Sequence, residues 1–143
     1  MQNKPHTQPF CKSGVLNKSA YIKILTSISI VAILFHILIL LKIIPYEITW
    51  GGKLKTDEEM YVFETFSILI NSFFIFVLLQ KGVFIKPFFE KKTVSITLWI
   101  FFAIFVLNTF GNLFAKTTFE KGFTILTLIN SILLWKINKT ITR

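Results

Sequence analysis

The stretch WGGKLKTDEEMYVFETFSILIN, residues 50–71, decides how the rest of the chain is read. It passes from a polar loop, marked as a turn by Gly51-Gly52, into an apolar helix. Thr56-Asp57-Glu58-Glu59 matches a capping box, in which a hydroxyl and a carboxylate satisfy backbone donors left unpaired at a helix start. The second helix is therefore expected to begin at Asp57. Glu64 lies past its first turn, inside the apolar run. A carboxylate within a membrane segment costs about 2.5–3.5 kcal/mol at the helix centre and less near the interface. Such a group needs a partner, which makes Glu64 the centre of any functional reading.

Three further apolar runs flank this stretch. Residues 24–41 carry no charge and are bracketed by Lys23 and Lys42. With snorkelling lysines they nearly span a hydrocarbon core of about 30 Å. The run is too long for a signal-peptide core and no small-x-small cleavage site follows, so it reads as a retained helix, ended by Pro45. Residues 93–115 are uncharged throughout. Thr117-Thr118-Phe119-Glu120 repeats the capping pattern and opens a shorter fourth helix. The expected fold is an all-α membrane bundle of four transmembrane helices, about residues 22–44, 57–80, 93–115 and 118–137. A polar, disordered tail over residues 1–20 precedes it.

Composition agrees with this class. In 143 residues 53% are hydrophobic and 17 are Phe, too apolar for the surface of a small soluble domain. The net charge of +9 would suggest nucleic-acid binding if the lysines were clustered, but they sit at the ends of the apolar runs. With the N-terminus inside, 11 of the 16 Lys and Arg residues fall on the cytoplasmic side and 5 outside. That bias puts both termini in the cytoplasm of a multi-pass inner-membrane protein. The lone Cys11 and two histidines exclude an internal disulfide and any multi-cysteine metal site, and no cofactor is expected. Glycine-rich phosphate loops, H-E-x-x-H and G-x-S-x-G are absent.

Each helix carries polar residues at helical spacing, which turn inward because lipid cannot satisfy them. They are Thr26, Ser29 and His36; Glu64, Ser67 and Asn71; Asn108 and Asn112; and Glu120, Thr124, Thr127 and Ser131. At 1.5 Å per residue, His36 lies roughly 12 Å and Glu64 roughly 10 Å below the outer helix ends. Asn108 lies roughly 10 Å down, Asn112 roughly 5 Å and Thr124 roughly 9 Å. The candidate ligand-binding set is thus Trp50, Glu64, Asn108, Asn112 and Thr124, under the Trp50-Gly51-Gly52 loop. Glu64 and His36 are the candidate catalytic pair, since imidazole exchanges protons near neutral pH. The alternative for the Asn, Ser and Thr residues is interhelical hydrogen bonding, worth about 0.6–2 kcal/mol each.

PYEITWGGKLKTDEEMYVFE, residues 45–64, with NTFGNLFAK, residues 108–116, and a capped last helix, resembles uncharacterised small four-helix integral membrane proteins of bacteria. The resemblance covers nearly all of the chain after the tail. It implies a bacterial inner-membrane location but no activity. Sterol-isomerase-like and DoxX-like membrane proteins share only the architecture. Three functions follow from the residues. The first is binding of a lipid-like or small amphipathic ligand, or of a membrane-protein partner, at the outer-leaflet polar cluster. The second is an enzyme acting on an isoprenoid or other lipid through a Glu/His acid-base pair. The third is a proton-linked transporter or channel subunit, which requires a homo-oligomer. Membrane lipid is the expected surrounding partner, and nucleic acid is not one.

Overall fold

The computed structural model describes residues 13–115 and 118–139. Among these residues the chain forms four helices and no strand: α1 (Ser13–Leu40), α2 (Asp57–Lys81), α3 (Lys91–Leu113) and α4 (Thr118–Lys139). α1, α2 and α3 each contain a stretch long and apolar enough to cross a membrane; α4 does not meet that measure. Such a set of apolar helices is compatible with a multi-pass membrane protein. α1 and α2 lie against one another as one hairpin, α3 and α4 as a second, and the two hairpins touch less extensively. α1 and α4 run antiparallel. Lys136 lies over the Tyr21 ring at 5.6 Å, and Phe35 meets Phe119 and Phe123 at 5.6 and 5.4 Å.

α2 starts where its cap requires. Thr56 is extended, and its hydroxyl accepts from the Glu59 amide at 3.2 Å. The Glu59 carboxylate reaches one residue further back than the usual box and accepts from the Lys55 amide at 2.9 Å. Thr117, the other expected cap, lies outside the described residues. α1 departs from expectation at both ends. It already includes Ser13, since nothing between Val15 and Ala20 breaks a helix. The remainder of the expected tail, residues 1–12, is outside the described residues. At its other end α1 stops at Leu40, short of Pro45. Lys42 takes a left-handed φ of 58°, its amide bonds to the Ile39 carbonyl at 2.7 Å, and the Ile43 amide bonds to that of Leu38 at 2.9 Å. This is a Schellman cap without glycine. α2 ends in the same way at Val83, with φ 61°.

The apolar core is lopsided. Ten buried residues from all four helices form the larger cluster: Ile22 and Leu25 of α1, Phe74, Val77 and Leu78 of α2, Val94, Leu98 and Phe101 of α3, and Leu134 and Ile137 of α4. All lie towards the end that carries Lys18 and Lys81. Among the described residues the opposite end has a smaller cluster of Ile39, Leu54 and Met60. α3 buries Val94, Leu98 and Phe101 and nothing after them. The Trp50 end of the bundle is therefore the poorer one in buried apolar side chains, and its interior holds Thr49, Glu64 and Glu120, while Gln80, Lys81 and Asn138 are buried at the other end.

Candidate functional site

Glu64 is completely buried on α2, with 0% of its surface exposed, and both carboxylate oxygens are engaged. Oε2 lies 2.6 Å from Nδ1 of His36 on α1. Oε1 accepts the indole N–H of Trp50 at 2.9 Å. One carboxylate thus joins two helices and the loop between them. The sequence-derived depths of His36 and Glu64 differ by roughly 2 Å, within reach of one hydrogen bond. Charge-assisted bonds of this kind are worth about 1.5–3 kcal/mol each, the scale needed to hold a carboxylate away from water.

The loop is built to deliver Trp50. Two 3-10 turns, Tyr46–Ile48 and Trp50–Gly52, meet at the buried Thr49. The Thr49 hydroxyl donates to the Tyr46 carbonyl at 2.8 Å. Trp50 itself sits at φ 55°, which costs a non-glycine residue about 1–2 kcal/mol. The hydrogen bond to Glu64 and contact with the Phe63 ring at 4.9 Å offset that strain. Gly52 follows at φ 65°, where only glycine is free of penalty. Beyond it Leu54 is buried against Ile39 and Met60 and fixes the far side of the loop. Lys42 donates to Asp57 at 2.5 Å across the ends of α1 and α2. That hydrogen bond raises the Lys42 ammonium above its ordinary pKa, although the pair is solvent-screened.

Beside this network is a surface depression of about 370 Å³, lined by Trp50 and Lys53 of the loop, Gly111, Asn112, Phe114 and Ala115 at the end of α3, and Glu120 of α4. Of the expected ligand-binding residues, Trp50 and Glu64 are bonded to one another, and Asn112 shares the depression with Trp50. Thr124 is half-buried, its hydroxyl shielded and, among the described residues, without a hydrogen-bond partner. Asn108 is exposed on α3, and among the described residues nothing hydrogen-bonds its side chain. Its i, i+4 spacing to Asn112 does not carry it inward, because α3 buries no residue beyond Phe101. Nor do Gly111 and its neighbours form a tight helix contact: a Cβ added to Gly111 would meet open space. The polar contact between α3 and α4 is instead Thr109 to Thr127, with hydroxyls 3.0 Å apart.

Sequence reasoning did not assign Lys53 or Glu120 to the site, nor Thr109 to the helix contact. Lys53 directly follows the Gly-Gly turn, and Glu120 already stood in the polar stripe of α4; those were the available signals. Asn71 is spent locally, its amide donating to the Ser67 carbonyl at 2.9 Å. Deeper in the bundle Ser29 and Asn130 are 2% and 5% exposed, and among the described residues the Ser29 hydroxyl and Asn130 Oδ1 have no hydrogen-bond partner. Among the described residues no three His, Cys, Asp or Glu side chains converge to hold a metal. No family model, curated protein or solved structure matches this chain.

Proposed function

We propose that this chain is a four-span bacterial inner-membrane protein, with both termini cytoplasmic, that binds a lipid-like or small amphipathic ligand at the Trp50 depression in the outer leaflet. The observation that carries the reading is the fully buried Glu64, bonded to His36 and to Trp50, of which Trp50 lines that depression. A buried carboxylate and a left-handed tryptophan are each costly, and such costs concentrate where a fold holds a site in shape. The orientation rests on the bias of 11 basic residues against 5.

The fourth span rests on the inverted polarity of α4. Its buried residues include Glu120, Asn130, Ser131 and Asn138, while Ile125, Leu126, Leu128, Ile129 and Ile132 are exposed. A water-facing helix has the opposite arrangement. At 22 residues α4 is about 33 Å long, enough to cross.

Native mass spectrometry of gently extracted protein tests the binding. A discrete adduct on the wild type, lost from Glu64→Ala and Asn112→Leu, is the expected result. Bare wild-type protein, or an adduct indifferent to both substitutions, overturns the reading. A second reading is favoured by the His36–Glu64 bond: an acid-base enzyme acting on the bound lipid. Glu64 would orient the imidazole through Nδ1 and leave Nε2 to exchange a proton. His36→Gln would then stop conversion of the bound molecule while leaving its binding in place.

A further inference from the structure

The depression at the Trp50 end brings together two side chains of opposite charge that do not pair with each other. Lys53 comes from the loop and Glu120 from the first turn of α4. Among the described residues no ion pair joins them, although both line the same space. Glu120 is 7% exposed, an environment that favours a carboxylate with close cationic or hydrogen-bonding partners. A carboxylate has about four acceptor positions, so it can take an incoming donor in addition to the contacts it already makes. Asn112, which lines the same space, offers both a donor and an acceptor. Trp50 has committed its only N–H to Glu64, so the ring is what it has left to offer. Aromatic rings attract ammonium groups. Gly111 leaves its part of the wall open, with nothing within 4 Å of the point a Cβ would occupy.

From this arrangement we infer that the depression selects a zwitterionic head group, with its ammonium at Glu120 and its phosphate or carboxylate at Lys53. The inference deepens the binding function proposed above and rests on it. The size is suitable. An open depression of about 370 Å³ has room for a head group. A separate apolar depression on α4, lined by Thr118, Phe119, Gly122, Phe123 and Leu126, begins one residue from Glu120 and could take a chain. The same head-group chemistry comes from a phospholipid or from a free solute, and the test separates them.

Full-length protein in phosphatidylglycerol nanodiscs is titrated with short-chain phosphatidylethanolamine and, separately, with phosphoethanolamine, reading tryptophan emission. Saturable binding is expected, weakened at least tenfold by Glu120→Gln and by Lys53→Met. Tighter binding of the lipid than of the free solute assigns a membrane ligand, and equal binding assigns a solute; both sustain the inference. Circular dichroism of the variants confirms that the helices persist. Binding unaffected by either substitution overturns the inference, as does an equal response to added short-chain phosphatidylglycerol. If the wild type binds only an uncharged or anionic amphiphile, and Asn112→Leu abolishes it, the head-group assignment falls while the site stands. If no amphiphile binds, both fall.

Discussion

Replacing Glu64 with Ala removes the carboxylate that joins α1, α2 and the connecting loop. The cost can be worked from the two bonds it accepts, 2.6 Å from His36 Nδ1 and 2.9 Å from Trp50 Nε1. Hydrogen bonds between membrane helices average about 0.6 kcal/mol and reach about 1.7. Bonds to a charged group run at about 1.5–3 kcal/mol, so two at the lower end come to about 3 kcal/mol. Truncation also leaves two buried donors unpaired and a void where the side chain stood, which brings the total to about 3–5 kcal/mol. Glu64→Gln is expected to cost less, about 1–2 kcal/mol, because the amide can still accept from Trp50 and donate to the other tautomer of His36. Reversible unfolding in mixed micelles, followed by circular dichroism, measures both. A double-mutant cycle with Trp50→Phe isolates the loop bond, with an expected coupling of about 1.5 kcal/mol. If Glu64→Ala lies within about 0.5 kcal/mol of wild type, the range of an ordinary surface substitution, the network is not what holds this end together.

Val83→Gly should stabilise the protein by about 0.5–1 kcal/mol, since a left-handed β-branched residue costs more than the entropy glycine adds, and Val83 is exposed; thermal unfolding reads this, and a loss of stability would contradict it. Asn130→Leu should be stabilising by about 1 kcal/mol, because it replaces a buried, unpartnered carbonyl oxygen with an apolar group of similar size. Destabilisation by a comparable amount would mean that the oxygen has a partner, such as an internal water. Cys11, the only cysteine, should react with a membrane-impermeant maleimide only after the cell membrane is permeabilised. In a Cys11→Ser background, Lys53→Cys should react in intact spheroplasts. The reverse pattern would invert the topology.

The four helices were legible because long uncharged runs leave a strong apolar signature and because Thr56 and Glu59 mark the start of α2 directly. The end of α1 was not, since Lys42 closes it with a left-handed turn that lysine does not advertise. Depth made His36 one candidate partner for Glu64 but gave the third-helix Asn108 equal standing, and only the packing of α1 against α2 chose between them. Trp50 could be placed near the site but not bonded to it; that required the geometry of two consecutive turns around Thr49. Asn108 shows the limit of periodicity. Spacing finds residues that share a face, but only the neighbouring helices decide whether that face is covered. Lys53 and Glu120 belong to different elements, and no local pattern in the sequence relates one to the other.

The most direct test of an outer-leaflet binding site is photocrosslinking in intact membranes. A benzophenone amino acid replaces Asn112 in the depression, and in a parallel variant it replaces Ile96, an exposed apolar position on α3 near the opposite end. Position 112 is expected to yield one discrete low-mass adduct while position 96 yields the mixed composition of the bulk lipid. The same mixed adducts at both positions would show that the Trp50 depression selects nothing and would contradict an outer-leaflet binding site.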